Sequence, residues 1–368
     1  MSQNRVVMHV DLDYFFAQCE ERENSSLKGK AVVVCVFSGR TEDSGAVSTA
    51  NYIARKYGVK SGMPITLAKK ILKNKDAVFL PVNFELYERI SHNIMEILRK
   101  YGDSFEQTGI DEAFIDVSKR VNGNFEAAFE LAKAIKQEIL EKEKLTCSIG
   151  IGPNKLVAKI ASDFQKPNGL TMVKPENVQS FLFPLPVGKL FGVGRKTEKA
   201  MEKLGIKTIG DLAKYDVERL TGFFGKNLAL YFHQAAQGID ESPVQERGPA
   251  ESASRIVTLK QNTRDLATIL EQVYPLCEDI RNRLSEQGLN FKSVSAVAVM
   301  QDLSIKSKTK TFETPINELE ILKGTVKELF EKLLGKEPKL EVRRAGVKIS
   351  GFIEAQKKQT KLTDFKQQ

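Results

Sequence analysis

The stretch Arg5-Val-Val-Met-His-Val-Asp11-Leu-Asp13-Tyr-Phe-Phe-Ala17 sets the frame for the rest of the chain. Up to Asp11 it is apolar and β-branched, the pattern of a buried strand that ends in a carboxylate. Asp13 then reads as the N-cap of a helix running from Tyr14 to Glu23. A second buried strand, Ala31–Phe37, leads into the polar loop Ser38–Gly45. A short helix spans Ala50–Tyr57, with Thr49 as its cap and Gly58 just past its end. A strand near Val78–Leu80, a helix Glu85–Tyr101 and two short strands flanking Gly109-Ile110-Asp111-Glu112 follow. The helix Phe125–Lys142, the strand Thr146–Ile151 and the helix Asn154–Ser162 complete an alternating segment, α+β or α/β, with one sheet covered by helices.

Residues 171–235 change to short helices punctuated by Gly192-Val-Gly194, Gly205 and Gly222-Phe-Phe-Gly225. Gly238–Ser252 holds Gly, Pro, Ser and charge without periodicity and reads as an interdomain linker. Beyond it come a strand (Ser254–Leu259), a helix (Leu266–Gln287), two strands (Val294–Met300, Ile305–Phe312), a helix (Glu318–Leu334) and a strand (Leu340–Ile349). That β-α-β-β-α-β order predicts a compact ferredoxin-like domain, so the chain as a whole is α+β. The Lys- and Gln-rich tail Ala355–Gln368 has no core of its own and reads as disordered when free.

Composition agrees with this layout. A chain of 368 residues predicts about two to three domains. Its 41% hydrophobic and 28% charged content excludes collagen, bulk disorder and a disulfide-built miniprotein. Apolar runs such as Ala31–Phe37 fall far short of the ~20 residues of a membrane span. The run Val6–Val10 meets Asp11 and Asp13 at once, unlike a secretory signal. Cys19, Cys35, Cys147 and Cys277 have no paired spacing, which suits reduced thiols in a cytoplasm. Three scattered histidines argue against a zinc site. The net charge of +9 leans toward nucleic acid. No segment is strongly basic on average, so a polyanion would be met by faces and strips.

Three carboxylates stand out. If the strand ending at Asp11 neighbours those flanking Asp111 and Glu112, all three converge at one sheet edge. Hard cations such as Mg²⁺ take oxygen ligands, commonly one or two carboxylates plus substrate phosphates. Two such ions ~3.5–4 Å apart stabilise the attacking and leaving oxygens of a phosphoryl displacement. Ordinary surface acids at strand ends are the alternative. Tyr52 and Arg55 share a helix face, and with the Thr49 hydroxyl they form a clamp suited to triphosphate; a solvated helix face is the plainer reading. Lys166, in the turn Gln165–Gly169, is a further phosphate-facing cation or a simple surface lysine.

Together the motifs Val10–Ala17, Ser38-Gly39-Arg40, Ala50–Arg55, Gly109–Phe114 and Lys166-Pro167-Asn168-Gly169 resemble the Y-family DNA polymerases, and among them the archaeal DNA polymerase IV branch. The resemblance runs in order over nearly the whole chain. It implies a palm (residues 1–20 and 77–170), fingers (21–76), a thumb (171–237), a linker (238–252), a little finger (253–354) and a tail (355–368). Residue by residue, it implies that Asp11, Asp111 and Glu112 bind two catalytic Mg²⁺ ions with help from the Leu12 carbonyl. Tyr14, Phe15, Phe16, Thr49, Tyr52, Arg55 and Lys166 would hold the incoming dNTP. Phe16 matches the steric-gate position that leaves no room for a ribose 2′-OH, although core packing explains an aromatic there equally well. Gly109 stands where many relatives carry Ser. The implied activity is low-fidelity, translesion primer extension on primer–template DNA by a cytoplasmic monomer, in DNA repair and damage tolerance.

In that company Gly192-Val193-Gly194-Arg195-Lys196 looks like a helix–hairpin–helix, whose glycine turn offers free N–H groups to a DNA phosphate. A P-loop lacks its spacing here, and a plain αα-turn is the bland alternative. Lys306, Lys308 and Lys310 alternate along one strand, either as a phosphate-tracking strip or as edge protection. Gln359, Leu362 and Phe365 have the spacing of a peptide that docks on sliding clamps, although Lys366 replaces the usual second aromatic. Two rivals remain open: a nucleotide cyclase on a palm-like sheet, and a non-catalytic DNA-binding repair protein.

Overall fold

The computed structural model describes residues 5–354 except 247, 249, 337 and 338. The clamp-like residues Gln359, Leu362 and Phe365 lie outside the described residues. Two compact units form, one from residues 5–36 and 46–246, the other from 37–45 and 248–354.

The first unit is organised around Val7–Leu12, the central strand of a five-stranded sheet. Its neighbours, Glu112–Asp116 and Cys147–Gly152, both run antiparallel to it, with Ser104–Gln107 and Leu170–Met172 at the edges. Period-two alternation divides the strand between two faces. Met8, Val10 and Leu12 join Ile115, Ile149 and Ile151 in a core with Ile90, Ile94 and Leu98 of the helix Phe84–Tyr101, and with Ile135 and Ile139 of Phe125–Glu143. Fully burying each such side chain stabilises by about 1.5–3 kcal/mol. Val7, His9 and Asp11 face the other way, toward the helix Lys155–Ser162.

That helix lies directly on the strand backbone. A Cβ on Gly150 would stand 2.0 Å from the Ala158 carbonyl oxygen, so only glycine allows this approach. Asn154 caps the helix by accepting from Val157 N–H at 3.0 Å. Close packing here brings Lys159 and Ser162 to the acidic end of the sheet.

Two caps expected from sequence are replaced. Asp13 does not cap the helix Phe15–Glu23, whose cap residue Tyr14 is left-handed at φ 36°. Asp13 is instead buried, accepting from Thr146 Oγ1 (2.9 Å), Ser148 Oγ (2.8 Å) and Asn168 N–H (2.8 Å). Thr49 belongs to a strand, Gly45–Ala50, that the polar loop reading passes over. The helix Tyr52–Lys56 is capped by Asn51, which accepts from Ala54 N–H at 3.0 Å. With Ala31–Phe37 at its centre and Ala77–Pro81 at its edge, this strand makes a second, three-stranded sheet.

Four α-helices follow within residues 195–236, around Met201, Leu212, Leu220 and Phe232. Residues 238–246, within the expected linker, belong to the first unit. Val244 is buried with Val7 and Phe114, and Asp240 accepts from Leu156 N–H at 3.0 Å. Likewise residues 37–45, within the expected 21–76 segment, cluster with the second unit.

The second unit keeps the β-α-β-β-α-β order, with strands Ser252–Thr263, Leu289–Met300, Ile305–Ile316 and Val342–Glu354 and helices Leu266–Glu286 and Leu319–Lys336. Its antiparallel sheet runs Ile305–Ile316, Leu289–Met300, Val342–Glu354, Ser252–Thr263. Each crossover is therefore split by one antiparallel strand. Both helices cover one face, over Val294, Ala296, Ala298, Ala345 and Val347. Among the described residues no helix is long and apolar enough to cross a membrane.

Candidate active site

Asp11 and Glu112 are register partners on adjacent strands, so their carboxylates leave the sheet side by side. Asp111 is tied to them through its carbonyl, which accepts from Leu12 N–H at 2.9 Å. One ring nitrogen of His9 and one oxygen each of Asp11 and Glu112 lie within 4.8 Å of one another. Carboxylate oxygens with a nearby backbone carbonyl at Leu12 are the donor chemistry of a hard divalent cation, and these residues fit one.

Cationic side chains already face this acidic cluster. Lys166 Nζ sits 2.7 Å from Asp11 Oδ1 and 2.7 Å from Asp163 Oδ1. Lys159 Nζ contacts Glu112 Oε2 at 2.5 Å, and Thr108 Oγ1 reaches Glu112 Oε1 at 3.1 Å. Burial pushes the Asp11 carboxyl up to about 6, against the opposing pull of Lys166. Burial and the neighbouring Glu112 charge also raise Asp111. Glu112 goes the other way: the hydrogen bond from His9 outweighs its burial, and Lys159 adds to the lowering. Burial works against the Lys166 ammonium, but Asp11 and Asp163 hold it above the usual lysine range.

A cavity of 290 Å³ opens beside Asp11 and Asp111. It gathers the nucleotide candidates: Leu12, Tyr14, Phe15 and Phe16 from the strand end and first helix, Thr49 from the second sheet, Tyr52 and Arg55 from the helix that follows it, and Lys166 from its turn. Ser48 and Ser61, which sequence reasoning missed, also line it. Arg55 is exposed and lies 4.9 Å from the Tyr52 ring centroid, with its Nε donating to the Ala50 carbonyl at 2.8 Å. Phe16 stacks on Tyr87 at 4.3 Å between centroids. Glu112 instead borders a second cavity of 530 Å³, walled by Phe114, Phe191, Tyr231, Lys155 and Lys159.

The expected glycine turn is present. Gly192 is left-handed at φ 87°, and Gly194 opens the helix Arg195–Lys203 with no side-chain cap on its first N–H groups. Arg195 and Lys196 are exposed there.

The lysine strip needs correction. Lys306, Lys308 and Lys310 do share a face, but they pair with Ala298, Ala296 and Val294, whose side chains belong to the helix-covered core. Lys310 is neutralised by Glu328 at 2.9 Å. The open face carries Ser293, Ser295, Thr309 and Thr311, with Arg344 and Lys348 exposed on the strand beside them.

The impB/mucB/samB family model matches residues 10–163, its C-terminal domain model residues 250–362, and its helix–hairpin–helix motif residues 175–206. The chain belongs to this family, the Y-family DNA polymerases, and is a DNA-directed DNA polymerase. Within it, the chain is similar to the DNA polymerase IV of Methanosarcina acetivorans, 48% identical over 98% of this chain and 99% of the relative. The DNA polymerase IV of Nitrosopumilus maritimus is 47% identical over 96% and 97%. Among solved structures, a Y-family chimera of Dbh and Dpo4 superposes with a TM-score of 0.89 at 42% identity, covering 95% of this chain and 99% of the other. An insertion ternary complex of Dbh DNA polymerase gives 0.68 at 41%, with the same coverage.

Proposed function

We propose that this polymerase adds dNTPs to a primer 3′-OH with two Mg²⁺ ions, at low fidelity and across damaged template bases. The observation that carries the reading is the pairing of Asp11 with Glu112 across adjacent strands, with Asp11 and Asp111 opening onto the cavity that Tyr52, Arg55 and Lys166 also line. Held by the three carboxylates and the Leu12 carbonyl, the ions would supply charge neutralisation at the reacting phosphate and oxygens. Around them the chain's own groups position the substrate. Arg55 and Lys166 pair with the triphosphate, Thr49 and Tyr52 donate hydroxyls to it, and Tyr14 and Phe15 shape the wall beneath. Phe16 faces the sugar. With the dNTP on the Asp11 side, the larger cavity beside Glu112 receives the primer end. Such pre-set positioning and electrostatics supply most of the acceleration.

Along the duplex, the turn at Gly192–Lys196 takes a backbone phosphate. The open face bearing Arg344 and Lys348 offers the second unit's phosphate contacts, in preference to Lys306, Lys308 and Lys310. Low fidelity is supported by a solved relative titled a DinB family error-prone DNA polymerase, 38% identical to this chain. We further propose action as a monomer in the cytoplasm, where four buried thiols stay reduced, and recruitment to a sliding clamp through Gln359, Leu362 and Phe365.

Asp111→Ala and Glu112→Ala test the reading. Each should lower Mg²⁺-dependent primer extension by about 10³-fold or more while still shifting primer–template in a gel. Extension near the parent's rate would end the assignment.

A further inference from the structure

His9 is completely buried, and the reaction outlined above makes no use of it. It stands two residues before Asp11 on the central strand, so both side chains leave the same face. Phe114, its register partner, covers it with ring centroids 4.6 Å apart. A buried imidazole needs partners at both nitrogens. Nδ1 lies 2.7 Å from Ser162 Oγ, and Nε2 lies 3.3 Å from Glu112 Oε2. A carboxylate can only accept, so the ring proton belongs on Nε2, and the Ser162 hydroxyl, which also lies 2.8 Å from the Lys159 carbonyl, turns its one hydrogen to Nδ1. Helix Lys155–Ser162 thereby reaches Glu112 through the imidazole.

We propose that His9 is a positioning residue for the polymerase reaction. Its Nε2–H holds Oε2 of Glu112 while Thr108 Oγ1 holds Oε1 at 3.1 Å, and the two together fix the plane in which the carboxylate meets a divalent cation. Lys159 also contacts Oε2, but it is a quarter exposed and flexible, so it yields to an incoming cation while the enclosed ring stays. Hydrogen-bonded supports of this kind orient ligands and raise their affinity for metal. The inference rests on the polymerase reading, in that Glu112 is taken as a cation ligand.

Three substitutions separate positioning from packing. His9→Leu fills the space without a donor. His9→Gln places its amide N–H where Nε2 stands, whereas His9→Asn places one where Nδ1 stands. The probe is Mn²⁺, titrated by the EPR signal of the free ion against the full chain bound to dideoxy-terminated primer–template and matching dNTP, where no turnover occurs. For His9→Leu, Mn²⁺ affinity and kcat should each fall about 10–100-fold, while KM for dNTP holds within about threefold. His9→Gln should recover most of both losses and His9→Asn should not. His9→Leu binding and extending like the parent, or His9→Asn recovering as well as His9→Gln, overturns the proposal. Should the leucine variant fail to fold, the Gln and Asn pair decides alone. A parent that extends no primer would instead refute the polymerase reading, and Mn²⁺ titration of the protein alone would still separate Gln from Asn.

Discussion

Removing the ring of Phe16 should open the site to ribonucleotides, and the size of the effect follows from how the ring is held. It stacks on Tyr87 at 4.3 Å with an interplanar angle of 11°, and Phe84 packs edge-on at 6.1 Å. The ring cannot swing away cheaply. A ribose 2′-OH pressed against it would have to shift a packed side chain, at about 1–3 kcal/mol. It would also give up its water without a replacement partner, at about another 1–3 kcal/mol. Their sum, about 2–6 kcal/mol, is a discrimination of about 30-fold to 10⁴-fold. In Phe16→Ala both penalties vanish; the variant gives up about 0.5–1.5 kcal/mol of ring–ring attraction on top of the burial of a partly buried ring, less than the about 3–5 kcal/mol of a fully buried one. The assay is single-nucleotide incorporation opposite a template guanine, comparing kcat/KM for CTP and dCTP. The ratio should rise about 30-fold or more toward unity. A ratio within about threefold of the parent's, with dCTP incorporation intact, would leave Phe16 as core packing.

Acid should slow extension through Asp11. Its carboxyl titrates near 6 because burial disfavours the ionised form, and a cation binds only that form. Activity is thus present above this value and falls about tenfold per pH unit below it. Raising Mg²⁺ should move the midpoint to lower pH, and a midpoint indifferent to Mg²⁺ would assign the fall to another group. At the glycine turn, Gly192→Ala forces a side chain into the left-handed region and brings its Cβ to 3.1 Å from the Tyr231 ring, whereas Gly194→Ala meets nothing within 4 Å. The first should weaken primer–template binding about 5–30-fold by fluorescence anisotropy, from about 1–2 kcal/mol of strain, and the second far less. Equal losses would show that the turn geometry is irrelevant to DNA. Deleting Gln359–Gln368 should reduce extension only when clamp is added; a loss without clamp would contradict the recruitment role.

What could be read from the sequence was whatever depended on local pattern. The apolar run to Asp11 declares a buried strand, and the three-residue spacing of Tyr52 and Arg55 declares a shared face. What could not be read depended on distant partners. Asp13 looks like a cap because its true partners, Thr146, Ser148 and Asn168, are more than a hundred residues away. Thr49 loses the capping role to Asn51 because strand pairing claims it first. His9 differs from its apolar neighbours only in being two residues from Asp11, and Ser162, which gives it purpose, comes 153 residues later. Alternation put Lys306, Lys308 and Lys310 on one face correctly, but period two alone cannot say which face the helices cover.

The buried Asp13 acts as a rivet. It joins the end of the Asp11 strand to the turn that presents Lys166, so this carboxylate and this ammonium are fastened at one point. Bending elsewhere in the protein leaves their spacing alone, and slippage at the rivet detunes both together. Failure of this machine should therefore come abruptly, without a graded decline.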